Sequence, residues 1–228
     1  MSDRPFNPFL IPGGIPGGPA QGGSAPGPDP QSGEWGDFVR TQLFDRRMLV
    51  VAGVLDEQRA GEVAAQLMTL DASGDGAITL QLDATCEGLD PAFTLIDTID
   101  LLGVPVQATC IGRVEGPMVG VLAVAHRRAI APHGRVHLCD PKATIGGSAS
   151  DIERWAKYYA DQLLRFQRRL AEATHRPLEQ IEADMQAGRY FNAEEAVAYG
   201  IADEIARPTA SIRRLPGTDR PFGFQAPH

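Results

Sequence analysis

The stretch from Cys110 to Ala125, Cys-Ile-Gly-Arg-Val-Glu-Gly-Pro-Met-Val-Gly-Val-Leu-Ala-Val-Ala, leaves the chain few ways to fold. It reads as a buried strand end, a tight turn at Glu115-Gly116-Pro117, and an apolar helix over Val119–Ala125 that must sit inside a core. A strand that turns sharply into a buried helix lifts one residue out of the core and aims backbone N–H groups at whatever binds there. Here that residue is Gly116, which has no side chain with which to do chemistry. The scaffold of a reactive turn is present without a reactive group on it.

The flanking segments alternate between strand and helix patterns. Met48–Val54 is a β-branched apolar run suited to a buried parallel strand. Leu55–Leu70 is helical in pattern, with Val63, Leu67 and Leu70 on one face, and Ser73–Gly76 is a turn. A strand is predicted over Ala77–Leu82, a helix over Pro91–Leu102, a strand over Pro105–Ile111 and another over Arg135–Leu138. Such alternation predicts an α/β fold with a mostly parallel sheet. Asp151–Ala173 carries the strongest helix pattern, with Ser150 as its cap, acids in its first turn and Pro177 beyond its end. Its apolar stripe, Ile152, Trp155, Tyr159, Leu163, Phe166 and Leu170, is half aromatic, and part of it is expected to face another subunit.

Composition narrows the function classes. A net charge of −8, a pI near 5.1 and the lack of a Lys/Arg run argue against nucleic acid. Three cysteines without a CxxC pair suggest neither a disulfide framework nor a zinc site, and reduced thiols fit a cytoplasmic protein. The apolar runs are too short for a bilayer, and the N-terminus lacks a signal-peptide pattern. Residues 1–40, rich in Gly and Pro, are expected to form a flexible arm, within which Phe6–Pro12 is more apolar than a plain linker. An ordered domain is expected over 41–206 and a flexible tail over 207–228.

The order of several segments resembles the ClpP family, the proteolytic subunit of Clp proteases within the ClpP/crotonase superfamily. The segments are Ile78-Thr-Leu-Gln-Leu82, Ile96-Asp-Thr-Ile99, Cys110-Ile-Gly112 and Pro132-His-Gly-Arg-Val136 with Pro141. They continue with Asp151-Ile-Glu153, Arg176–Glu182, Phe191-Asn-Ala-Glu-Glu-Ala196 and Tyr199-Gly-Ile-Ala-Asp-Glu204. The last two are the most specific. The resemblance covers about residues 42–206 and implies stacked ββα units and a long handle helix joining two rings. It thereby gives the stripe from Ile152 to Leu170 an interface role. It also implies a homo- or hetero-oligomeric ring with a ClpP-like paralogue, AAA+ unfoldase partners, no cofactor and no metal.

The departures from the family pattern bear on activity. The family's nucleophilic Ser falls on Gly116, and no Ser occurs between Ser73 and Ser148. Its His falls on Cys139 and its Asp on Gly188, while the Gly-Gly pair that supplies an oxyanion N–H falls on Cys86-Glu87. The residue after the nucleophile, the second oxyanion donor, is Pro117, which has no N–H. Triad removal costs about 10⁶-fold in turnover where it has been measured, and loss of an oxyanion donor about 10²–10³-fold. Glu87 would also bring negative charge toward a developing oxyanion. The family's serine-peptidase activity is therefore not expected, and a catalytically inactive scaffold or regulatory subunit is.

Two other classes stay open. Cys139 with His137, two apart on a strand and so on one face, are candidates for a repurposed hydrolase. Glu115, beside Gly116, is a candidate acid/base for a crotonase-like lyase, and a protein that only binds a peptide or acyl ligand is the third reading. His137, Cys139 and Asp140 have no recognised metal-ligand spacing. Glu182 and Asp184 read as solvated helix residues.

Overall fold

The computed structural model describes residues 34–144 and 146–207. The expectations for residues 1–33, with the Phe6–Pro12 segment, and for the tail from 208 lie outside these. The chain divides between Phe38 and Val39 into two units. Of the first, only the start of a helix, α1 (Glu34–Phe44), is described, so residues 34–40 are helical where an unstructured arm is expected. The second unit carries the sheet and the other helices.

Among the described residues seven strands form one sheet: β1 (Met48–Val54), β2 (Ile78–Thr85), β3 (Val106–Glu115), β4 (Arg127–Ile130), β5 (Arg135–Leu138), β6 (Arg189–Phe191) and β7 (Glu204–Ile205). The main order is β1-β2-β3-β4-β7; β5 also pairs with β3, and β6 with β5. Every pairing is parallel except β5 with β6. The mostly parallel α/β expectation is met. The helices are α2 (Glu57–Ala72), α3 (Leu89–Leu101), α4 (Met118–Ala123), α5 (Ala149–Thr174), α6 (Leu178–Ala187) and α7 (Ala193–Tyr199). Strands β4, β6 and β7 were not readable because they are two to four residues long and carry Arg127, Arg128, Arg189 and Glu204.

Leu67, Ile78, Leu80, Leu82, Leu95, Ile99 and Ile130 are essentially inaccessible and form the centre of the core. Each such side chain stabilises the fold by about 1.5–3 kcal/mol. Helix α2 starts at Glu57 because the Asp56 carboxylate accepts the Arg59 N–H at 2.8 Å. Helix α4 is buried on every side, as its sequence demands. It approaches α5 so closely that a Cβ on Gly120 would lie 2.5 Å from the Phe166 ring.

The long helix needs two corrections. Its cap is Ser148, not Ser150: Ser148 and Asp151 form a reciprocal capping box. Its stripe is also divided in two. Phe166 and Leu170 are buried in the protomer's own core, with Phe93 edge-on to Phe166 at 6.3 Å, so neither offers an interface. The N-terminal half differs: Ile152 is exposed, Trp155 stacks on Tyr159 at 4.8 Å, and Leu163 is half-buried. Tyr159 is tied down by its hydroxyl, which donates to the Pro141 carbonyl at 3.1 Å.

Candidate functional site

The site begins with an irregularity in β3. Leu82 pairs with Cys110 and Ala84 with Val114, so β3 carries two more residues than β2 across this interval. Asp83 fills the bulge, its carboxylate accepting the Arg113 N–H at 2.8 Å. A Cβ on Gly112 would lie 2.4 Å from the same carboxylate, which is why the Cys-Ile-Gly segment ends in glycine. Before the bulge β3 pairs with β4, and after it with β5. The switch places Glu115 directly beside His137.

The turn then leaves the sheet as expected. Gly116 has φ +64, and Pro117 opens α4. A Cβ at Gly116 would stand 2.4 Å from the Cys86 carbonyl oxygen, so main chain already fills the place of a side chain. The Gly116 N–H donates to the His137 carbonyl at 3.0 Å, and the Cys86 N–H to the Glu115 carbonyl at 3.1 Å. Pro117 has no N–H to offer. The mostly exposed Glu87 carboxylate is paired with Lys142 at 2.7 Å.

The three residues singled out as alternative chemistry do meet. Single ligating atoms of Glu115, His137 and Cys139 lie within 4.8 Å of one another, all three residues being half-buried. His137 Nδ1 is 3.0 Å from Glu115 Oε1, an ion-pair distance, yet Nδ1 is buried without an aligned hydrogen bond. Arg113 approaches the carboxylate's other oxygen at 3.6 Å. The His137 ring is held flat against Tyr190, 3.8 Å between centroids and 4° between planes. The Cys139 thiol is pushed up from its ordinary value, first by burial and then by the Glu115 charge; the Gly116 amide and Lys142 oppose this only in part. Cys86 and Cys110 are deeper still, and burial raises both thiols to about 11.

Gly188 closes the group from the far side. It ends α6 in a left-handed conformation, and a Cβ there would be 3.5 Å from His137 Nε2. Gly116, Cys139 and Gly188, far apart in sequence, thus surround one spot: the Gly116 Cβ position is 4.0 Å from Cys139 Sγ. Asp184 is not solvated as expected. It accepts from the Tyr199 hydroxyl at 2.7 Å and from Arg189 at 3.1 Å, and burial followed by Asp184 raises the Tyr199 phenol well above its usual range.

Sequence reading missed Asp83, Arg113, Tyr190 and Arg128. Only Asp83 left a sign, a lone acid where β2 otherwise alternates toward the core. Arg128 forms a latch with the Tyr199–Glu204 segment: its guanidinium pairs with Asp203 and donates to the carbonyls of Ala173 at 2.8 Å and Gly200 at 3.0 Å. Burial would raise the Asp203 carboxyl, but the Arg128 hydrogen bonds outweigh it and hold it below its ordinary value.

A bulged parallel sheet feeding a glycine turn into a buried helix, with a long helix packed over it, is the architecture of the ClpP-like α/β proteins. The chain belongs to the Clp protease family, whose model matches residues 31–209. It is 29% identical over 195 residues to "ATP-dependent Clp protease proteolytic subunit-related protein 2, chloroplastic" of Arabidopsis thaliana, covering 84% of this chain and 69% of that protein. It is 29% identical over 195 residues to ATP-dependent Clp protease proteolytic subunit 1 of Frankia casuarinae (82% and 92%). With subunit 1 of Streptomyces avermitilis the identity is 30% over 188 residues (78% and 87%). Among the described residues, no helix is long and apolar enough to cross a membrane.

Proposed function

We propose that this protein is a catalytically inactive subunit of a Clp-type ring, acting as scaffold or regulator beside a Ser-bearing paralogue and an AAA+ unfoldase. One observation carries the reading: at Gly116 the space for a nucleophile is taken by the Cys86 carbonyl, the Gly116 and Cys86 amides are already engaged, and Pro117 has none. Oxyanion stabilisation needs donors aimed at empty space, and neither the engaged Gly116 amide nor Pro117 supplies one. The exposed N-terminal half of α5, with Ile152 and the Trp155–Tyr159 stack, supports an interface role for that half of the helix.

The repurposed-hydrolase reading is favoured by the meeting of Cys139, His137 and Glu115. Against it stand a thiol raised by burial and by Glu115, when a nucleophilic Cys needs a thiolate, and a Pro117 that has no N–H to offer an oxyanion. The test is affinity purification of the protein from its own cells, native mass measurement and identification of co-purifying chains. The proposal expects a large ring containing a Ser-bearing ClpP paralogue. A small assembly without one would overturn it, as would peptide hydrolysis by the pure protein that Cys139→Ala abolishes.

A further inference from the structure

We propose that Glu115, His137 and Cys139 form a binding site for a zinc-class divalent cation, with three protein ligands and a fourth position for water. The ligands would be Glu115 Oε1, His137 Nδ1 and Cys139 Sγ. They come from the end of β3, from β5 and from the residue just after it, so regular sheet pairing holds two of the three. Sequence spacing concealed the site because Glu115 lies 22 residues before His137, and only the strand switch at the β3 bulge joins them.

Three features point to an ion rather than to a hydrogen-bonded cluster. His137 Nδ1 and Glu115 Oε1 are 3.0 Å apart, yet Nδ1 is buried without an aligned hydrogen bond. An orphaned buried ring nitrogen needs a partner. Two ligand atoms on one tetrahedral zinc stand about 3.3–3.6 Å apart, so a group already within 4.8 Å needs only small side-chain movements to close on an ion. The donor set is also specific: thiolate, imidazole and carboxylate together suit zinc, whereas calcium and magnesium want oxygen alone.

Charge favours the same occupant. Thiolate and carboxylate repel one another in this half-buried place, and a dication turns that repulsion into attraction, giving a formally neutral site. Binding replaces the Cys139 S–H bond with a sulfur–metal bond and releases one proton to solvent. The surroundings leave room for this: Arg113 takes the other Glu115 oxygen, Lys142 is engaged by Glu87, and Tyr190 fixes the imidazole plane. Gly188 adds no side chain beside the ring.

Ion binding here is independent of the inactive-subunit reading, since it requires no turnover. The experiment is titration of the full-length, tag-free, reduced protein with Co²⁺, followed by thiolate-to-cobalt charge-transfer absorbance and by proton release, then displacement with Zn²⁺. We expect one ion per chain, one proton released per ion, and complete displacement by zinc. Cys139→Ser should remove the band and weaken binding by at least about 100-fold, and Glu115→Gln should weaken it by about 10–100-fold. Cys86→Ala and Cys110→Ala should leave the band in place, and circular dichroism would identify a variant that fails to fold. The site is overturned if the folded wild-type protein binds no stoichiometric cobalt, or if the band survives Cys139→Ser or Glu115→Gln undiminished.

Discussion

Two segments of this chain carry the family pattern most clearly, and they have fared in opposite ways. Around Gly116 the pattern survives as backbone: the bulge, the left-handed turn and the buried helix are in place, with a glycine at the turn. Around residues 191–204 the pattern survives as side chains. Asn192 and Glu195 cap α7 reciprocally, Gly200 ends it with φ +95, and Asp203 and Glu204 grip Arg128 and Arg127. A Cβ on Gly200 would lie 2.6 Å from the Thr174 carbonyl, so even the glycine is dictated by packing. The second segment is a latch within this chain's own fold, whereas the first, on the inactive-subunit proposal, no longer serves a reaction.

The sharpest way to test that contrast is to break the latch. Arg128→Ala leaves the partly exposed Asp203 carboxylate with only the residue-128 backbone N–H and removes the donor to the carbonyls of Ala123, Ala173 and Gly200, and should destabilise the protein by about 2–3 kcal/mol in urea unfolding. The depressed Asp203 carboxyl fixes the pH dependence. A group lowered in the folded state stabilises above its unfolded value and loses that contribution as pH falls through the folded one. The gap between wild type and Arg128→Ala should therefore be widest at neutral pH and narrow in acid; a gap independent of pH would mean Asp203 is not the partner that matters.

The next effect tests the other region. Gly116→Ser returns the hydroxyl that the family pattern calls for, but its Cβ meets the Cys86 carbonyl and its backbone sits at positive φ. We expect a loss of about 1–3 kcal/mol and no labelling by a serine-directed fluorophosphonate. Labelling above wild type would show that the turn had kept its machinery after all.

What could be read in the sequence obeys the same division. The strands from Met48, Ala77 and Pro105 and the long helix were readable because their apolar residues repeat at the period of the element and are buried for that reason. The meeting of Cys139 and His137 was readable from strand alternation. The addition of Glu115 was not, since it depends on a two-residue bulge and a change of neighbour strand. The division of the α5 stripe was hidden as well: Ile152 and Leu170 obey one periodicity, and only the positions of α3, α4 and α6 decide which is core. Asp184 misled for a related reason, because its partners Tyr199 and Arg189 reach it from other elements.

Asp184 also supplies a smaller test, set between the two regions. Tyr199 is buried, and its hydroxyl donates to Asp184 Oδ2 from beneath the α6 end that carries Gly188. Tyr199→Phe keeps the ring against Phe191 and removes only that donor, so the loss should be about 1–2 kcal/mol. If the end of α6 has no part in the Glu115–His137–Cys139 group, the variant should bind cobalt as wild type does, since Arg189 still holds the carboxylate. If Asp184 instead orients the end of α6 beside His137, cobalt affinity should fall along with stability. The smallest effect belongs to Glu87. Its pair with Lys142 is exposed on both sides, so Glu87→Gln should leave stability almost unchanged, and wholly unchanged in high salt. A larger loss would mean that this pair props the segment from Cys86 to Gly88 against the turn, making the closed space at Gly116 a consequence of surface electrostatics as well as of packing. The Lys142 N–H bond to the Glu87 carbonyl at 2.7 Å holds the two segments together without either side chain, and for that reason we expect the smaller value.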